Sequence, residues 1–391
     1  MNEHAFKKKT SLDKDLKKIV RLEKATLESS RQFVKIGLSV LFLIAVWIFA
    51  SMQTGAINNS DYVIVAGIIG GYMALNIGAN DVANNVGPAV GSKALTMVGA
   101  LIIAAVFESA GAILAGGDVI TTIKKGIIDP SLMPNTQVFI WAMMAALLAA
   151  ALWLNLATHF GAPVSTTHSI VGGVMGAGIA ATGIDAVNWP TMAKIAASWV
   201  ISPVMGGVIA ALFLAFLKFT VLNQENKIAA ARKWVPVVVG IMGSAFSMYL
   251  AMKGLKKVIK IDASTLMVIG AVAYVSVYFI TRHFVAKKSL TMENRKKSVY
   301  QLFVIPMIFS AALLSFAHGA NDVANAVGPL AAIVSSSASG DIASKVDIPL
   351  WVMLVGAAGI SAGLVLFGPK LIRTVGEKIT KLNPMRAFCV A

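Results

Sequence analysis

The residues best suited to chemistry lie in an eleven-residue stretch that occurs twice. Gly78–Pro88 reads GANDVANNVGP and Gly319–Pro329 reads GANDVANAVGP, so only Asn85 and Ala326 differ. Each copy follows an apolar run long enough to cross a bilayer. The carboxylate and amide oxygens are hard ligands of the kind that a sodium ion takes, and no thiolate or histidine cluster in the sequence would select a transition metal.

Gly and Pro in each copy predict that the transmembrane helix breaks there, which would free backbone groups for a solute. The N-terminus of a half-helix suits an anion, and its C-terminal carbonyls suit a cation. A carboxylate inside a membrane is functional by default. The alternative is that Asp81 and Asp322 only cap helices or form buried polar packing.

A third polar element, Gly161–Ser169, reads GAPVSTTHS within another apolar region. Pro163 predicts a helix break, and the hydroxyls of Ser165, Thr166 and Thr167 follow it. Hydroxyls and free amides at a helix start form a neutral cradle for an oxyanion, although Ser and Thr also cap helices or bond to the preceding turn. His168 fits a packed polar residue better than a ligand.

Two further titratable residues lie in apolar surroundings. Glu108 is a lone carboxylate within an apolar span, so it either lines a cavity or is protonated. The matching stretch of the second half places Ile360 at its position. His318 precedes the second copy of the motif and is a candidate for a proton-sensitive role. Asn85 is interpreted as an interhelical hydrogen bond.

Composition assigns the chain to the polytopic membrane proteins. Of 391 residues, 57% are hydrophobic and 13% are charged, with a mean hydropathy of +0.77, whereas a soluble domain carries about 25% charged residues. The net charge of +16 comes from Lys and Arg residues that lie between apolar spans and at the N-terminus. This placement indicates that they set the membrane topology and contact anionic lipid, and that they do not bind nucleic acid. Cys389, the one cysteine, excludes an internal disulfide.

We expect an all-α fold with an inverted repeat, broken helices, re-entrant hairpins and about 10–12 membrane segments. The hairpins are predicted at 82–94 and 323–338. Ten apolar spans are predicted, at 34–51, 62–79, 95–115, 137–158, 165–182, 191–220, 234–252, 262–281, 300–318 and 349–372.

The chain divides into four parts. Residues 1–33 form a basic segment, either an amphipathic surface helix or a disordered tail. A first membrane half (34–217) and a second (300–391) flank basic loops and two helices at 218–299. Basic loops predict a cytoplasmic N-terminus, and the two motifs then end helices of opposite direction.

The doubled GANDVAN motif and the PVSTTH element together resemble the inorganic phosphate transporter family, the sodium- or proton-coupled phosphate symporters. The resemblance covers roughly 62–183 and 300–388. It implies that Asp81, Asn84, Asp322 and Asn325 hold the coupling sodium and that the hydroxyls of Ser165, Thr166 and Thr167 contact phosphate. Glu108 resembles the family's functional intramembrane glutamate. With the remaining motif amides, the predicted sodium set is Asn80, Asp81, Asn84, Asn321, Asp322 and Asn325. With two motif glycines, the predicted phosphate set is Ser165, Thr166, Thr167, Gly87 and Gly328.

The sequence departs from this pattern in two places. A second PVSTTH-like element would fall beyond residue 391, so we expect that the second half is incomplete at its C-terminus. Ile360 in place of a second glutamate argues against a symmetric role for Glu108.

The sequence thus predicts a multi-pass inner-membrane symporter that takes up inorganic phosphate with sodium, not an enzyme. The partners are phosphate, sodium, the lipid bilayer and a second copy in a homodimer. Proton coupling, with a metal–phosphate complex as one form, and sulfate transport remain the alternatives. A phosphoester-cleaving enzyme would have only Ser165 and His168 as candidates, without an orienting acid nearby. A passive channel fits a duplicated closed site less well than alternating access does.

Overall fold

The computed structural model of the protein describes residues 11–55, 60–116, 126–255, 261–342, 348–378 and 381–391. Within these ranges the secondary structure is helical and contains no strand, as the sequence predicts. The twelve α-helices are α1 Ser11–Gln53, α2 Ser60–Gly91, α3 Met97–Ala115, α4 Thr136–Phe160, α5 Thr166–Thr182, α6 Trp189–Leu217, α7 Lys227–Leu250, α8 Ala263–Lys288, α9 Lys296–Leu302, α10 Val304–Ser339, α11 Leu350–Arg373 and α12 Pro384–Val390.

Nine helices in the described residues are long and apolar enough to cross a membrane. Each of the ten predicted spans coincides with a helix, and only α5, with 17 residues, falls short of the roughly 20 that a bilayer requires. The N-terminal segment is helical from Ser11 and continues into the first span as one helix of 43 residues. Residues 11–33 and the first span thus form one continuous helix. Residues 1–10 lie outside the described residues.

The prediction that the helices break at the two motifs is wrong. Helix α2 runs through the first motif for 32 residues, and α10 runs through the second for 36. Pro88 and Pro329 lie inside these helices, where each removes one backbone hydrogen bond. The predicted re-entrant hairpins at 82–94 and 323–338 are consequently absent, since 82–91 and 323–338 are the C-terminal turns of α2 and α10.

The motif glycines allow close helix packing. A methyl group added at Gly78 would overlap the carbonyl oxygen of Ile360 on α11, and one at Gly363 would overlap that of Leu75. Helices α10 and α3 pack in the same way. A methyl group added at Gly319 would overlap the carbonyl oxygen of Glu108, and one added at Gly111 would overlap that of Phe316.

These contacts relate α2 to α10 and α3 to α11, and the relation is an inverted repeat. Ser109 of α3 and its counterpart Ser361 of α11 meet at the axis, with their Oγ atoms 2.5 Å apart. Helix α3 folds back along α2, because Asn85 hydrogen-bonds Glu108 across the turn at 92–96.

Helix α10 runs parallel to α3. Gly111 faces Phe316, and Gly116, the C-cap of α3, faces Val323. The contact therefore moves toward the C-terminus on both helices at once. Since α3 is antiparallel to α2, α2 and α10 run in opposite directions, as predicted.

A helical hairpin places the third polar element beside the two motifs. Helix α4 ends at Phe160, where Gly161 adopts the left-handed conformation with φ +72° that favours glycine. Pro163 follows, and α5 begins at Thr166 with Ser165 as its N-cap. The break predicted at Pro163 is thus confirmed. The hairpin tip contacts α2 and α10 near their midpoints.

Candidate functional site

A polar cavity of about 300 Å³ lies between the hairpin tip and the midpoints of α2 and α10. Both halves of the inverted repeat contribute a carboxylate to its wall. Its lining consists of Asp81, Asn84, Pro163, Val164, Ser165, Thr166, Thr167 and Asp322. The structure therefore brings the third polar element together with both motifs, which are far apart in the sequence.

Thr166 links the two halves. Its Oγ1 donates to Asp81 Oδ2 over 2.8 Å and accepts from Asn325 Nδ2 at 3.3 Å. The residue is only 1% exposed, so water does not replace either bond. Asn325 also donates to Thr167 Oγ1 at 3.2 Å. The hydroxyl of Thr166 is thus oriented by one residue from each motif, and that of Thr167 by Asn325 of the second motif.

Ser165 acts as a helix cap, the alternative considered from the sequence. Its Oγ accepts from the backbone N–H of His168 over 3.2 Å, and it also lines the cavity. The His168 ring stacks on Trp199, with centroids 4.0 Å apart. This ring is therefore engaged with an aromatic neighbour, and no Ser–His pair of the kind needed for nucleophilic chemistry is formed by these two residues.

Asn80 holds the hairpin tip in place. Its side-chain oxygen accepts from the backbone N–H of Val164 at 3.0 Å, and its amide group donates to Thr158 Oγ1 and the Ala162 carbonyl. One lone pair of its oxygen is therefore committed to the loop. The counterpart Asn321 is exposed and lies outside the cavity lining, whereas Asn84 is exposed and lines it.

The two glycines assigned to phosphate lie away from the cavity. Gly87 packs against Val375, and Gly328 is buried. Neither is among the lining residues. Because both lie within continuous helices, their amides are not the free N–H groups that a helix break would have supplied.

His318 lies between three carboxylates, those of Asp81, Glu108 and Asp322. Its Nε2 is 2.8 Å from Asp322 Oδ2 and 3.6 Å from Asp81 Oδ2, and its Nδ1 is 3.3 Å from Glu108 Oε2. Glu108 is fully buried and accepts from Asn85 Nδ2 at 2.7 Å. Asn85 thus forms an interhelical hydrogen bond, as the sequence predicts.

The sequence treated Glu108, His318 and Asn85 separately and did not predict that Glu108 contacts both of the other two. A signal was available, because Asn85 and Glu108 are each replaced by an apolar residue at the matched position of the other half.

We expect Thr166→Val to reduce solute uptake by about 5- to 150-fold, because a buried acceptor left without its donor costs about 1–3 kcal/mol. The variant keeps the shape of the side chain and leaves Asp81 Oδ2 unpaired. Initial uptake rates in proteoliposomes measure the effect. Thr182→Val is the matched control, since Thr182 bonds only to Gly178 at the other end of the same helix. Wild-type uptake by Thr166→Val would contradict the assigned role.

Comparison with known proteins identifies the family of the chain. The sequence profile described as the phosphate transporter family matches residues 77–391, which is most of the chain. The chain belongs to this phosphate transporter family. It is a transporter and not an enzyme.

Individual relatives support the same family. A Helicobacter pylori (strain J99) protein named "Putative phosphate permease" is 51% identical over 96% of this transporter and 71% of its own length. The Arabidopsis thaliana protein named inorganic phosphate transporter 2-1, chloroplastic, is 38% identical over 82% of this chain and 59% of its own. A solved structure titled the sodium-dependent phosphate transporter superposes with a TM-score of 0.78 at 38% identity, covering 84% of this chain and 81% of that one.

Proposed function

We propose that this transporter is a symporter that takes up inorganic phosphate together with sodium by alternating access. The observation that supports it best is the position of Thr166, which lines the cavity and contacts both Asp81 on α2 and Asn325 on α10. A solute bound beside this hydroxyl would touch both inverted halves, and rocking of one half against the other would expose it to either side.

Sodium would be held by oxygens of the two motifs, with Asp81 and Asn84 from α2 and Asp322 and Asn325 from α10. Asn80 would act by positioning the hairpin tip. Phosphate would contact the hydroxyls of Ser165, Thr166 and Thr167, close to the N-terminus of α5, whose free N–H groups favour an anion.

Charge provides the coupling. The cavity carries the carboxylates of Asp81 and Asp322, which repel phosphate when no cation is present. A bound sodium ion removes that repulsion, and by reciprocity phosphate strengthens sodium binding. The two solutes would therefore bind together, as symport requires.

The carboxylates also favour phosphate over sulfate. Hydrogen phosphate carries a P–OH group that can donate to Asp81 or Asp322, whereas sulfate has no proton to donate. The relatives named for phosphate and the sodium-dependent structural neighbour support both parts of the proposal.

Uptake of labelled phosphate into proteoliposomes, with sodium replaced by choline at constant pH, tests the coupling. We expect the initial rate to fall at least about tenfold in choline, since each unpaired carboxylate disfavours the anion by more than about 1 kcal/mol. Excess sulfate is expected to leave the rate in sodium unchanged. Full uptake in choline that is driven by a pH gradient would instead support proton coupling.

In the cell we propose a homodimer in the inner membrane. The basic segments at 1–33, 218–233 and 282–299 favour a cytoplasmic N-terminus.

A further inference from the structure

The inverted repeat is broken at one buried place. Asn85, Glu108 and His318 form a continuous polar chain. The residues at the matched positions of the other half are apolar and buried, namely Ala326, Ile360 and Ile77. Sequence drift at separate positions does not explain why Glu108 contacts both of the other polar residues, Asn85 and His318. The asymmetry therefore indicates one polar unit with one task.

This polar unit ends at the carboxylates of the cavity. Nε2 of His318, one oxygen of Asp81 and one of Asp322 all lie within 4.8 Å of one another. The His318 side chain is only 9% exposed. Within the described part of the chain, both ring nitrogens of His318 are buried without a well-aligned hydrogen bond. Asp81 Oδ1 is likewise buried without a hydrogen-bond donor. Buried polar atoms that are close together yet unpaired are costly unless another group joins them.

We infer that Asp81, His318 and Asp322 form a binding site for a divalent first-row transition-metal ion. Imidazole nitrogen with two carboxylates suits such ions, whereas sodium takes oxygen ligands alone. The sequence, which shows no histidine cluster, predicted only oxygen ligands. The structure adds a single nitrogen from the turn that precedes the second motif.

Glu108 and Asn85 support the site on the Nδ1 side of the His318 ring. A histidine that binds a metal usually donates its other ring N–H to a carboxylate, which fixes the orientation of the ring. Glu108 Oε2 lies 3.3 Å from Nδ1 of His318, and Asn85 holds the other oxygen of Glu108. Glu108 is therefore a positioning residue for His318, and Asn85 positions Glu108.

The site shares Asp81 and Asp322 with the sodium ligands proposed above. A divalent ion bound there would exclude sodium and block sodium-driven uptake. This consequence rests on the proposed function, whereas metal binding itself does not.

Binding of Co²⁺ to the purified, untagged full chain in choline buffer without phosphate tests the inference. The d–d absorption bands of Co²⁺ report its ligands directly. We expect one Co²⁺ per chain, displaced by added sodium. His318→Gln should lose the bands, and Glu108→Gln should weaken binding about 10–100-fold, the usual effect of removing a group that orients a ligand. His168→Gln is the matched control and should bind as the wild type does, because its ring packs on Trp199.

Absence of Co²⁺ binding, or equal binding by His318→Gln and the wild type, would overturn the site. If sodium fails to displace Co²⁺ from the wild type, the two ions do not share Asp81 and Asp322 as ligands. This test uses only the wild type, so the folding of a variant does not affect it. If uptake proves independent of sodium, Co²⁺ binding is still expected. If uptake is driven by sodium and Co²⁺ does not bind, only this inference fails.

Discussion

Gly78→Ala is expected to destabilise the folded transporter by about 3 kcal/mol or more, beyond the usual range for overpacking. The added methyl group would overlap the Ile360 carbonyl oxygen, which belongs to a backbone and cannot move as a flexible side chain can. Helices α2 and α11 would have to separate along their contact. The fraction of monodisperse protein in size-exclusion chromatography and the midpoint of thermal unfolding in detergent measure the loss.

Gly206→Ala is the matched control, because no atom lies within 4 Å of a methyl group added there on α6. Alanine is favoured over glycine inside a helix by roughly 1 kcal/mol, so this variant should be as stable as the wild type or slightly more so. Replacing glycine by alanine is thus expected to lower the stability at position 78 and to keep or raise it at position 206. By the inverted repeat, Gly319→Ala should behave like Gly78→Ala. A stable Gly78→Ala protein would show that the close helix contact is not required.

Hydropathy was sufficient to predict the helices but not how they continue through the motifs. Apolar runs of bilayer length fixed the ten spans, and Pro163 marked the break between α4 and α5. At Gly78 and Gly319 the same reasoning failed. Glycine either ends a helix or lets another backbone approach, and only the partner decides between these outcomes. The partners, Ile360 and Glu108, lie far away in the sequence.

The site was predictable by residue type more than by arrangement. Asp81, Asp322 and Thr166 were selected because polar groups in apolar surroundings need a reason to be there, and they do line or bound one cavity. The bonds of Asn80 to the hairpin tip depend on tertiary packing, so its amide could not be distinguished from that of Asn84. The link from Asn85 to His318 crosses three helices and has no local signal.

Asp322→Asn is expected to abolish sodium-dependent phosphate uptake. The substitution keeps the size of the side chain but removes the negative charge from the cavity, where Asp322 is 23% exposed. Breaking a partly buried charge interaction costs about 3–5 kcal/mol, which corresponds to a loss of more than about 100-fold. Initial rates over a range of sodium concentrations measure the effect. Asp341→Asn is the control, since Asp341 is exposed just beyond the C-terminal end of the same α10 helix.

Phosphate counterflow at equal sodium on both sides separates coupling from folding. This exchange does not depend on a sodium gradient, but it still needs a folded protein with a phosphate site. If Asp322 acts as a sodium ligand, high sodium should partly restore exchange in Asp322→Asn, because mass action offsets a weakened site. A misfolded variant would show no exchange at any concentration. Sodium-dependent uptake at the wild-type rate by this variant would exclude Asp322 from coupling, and the carboxylate would then serve only to hold His318 and Asn325 in place.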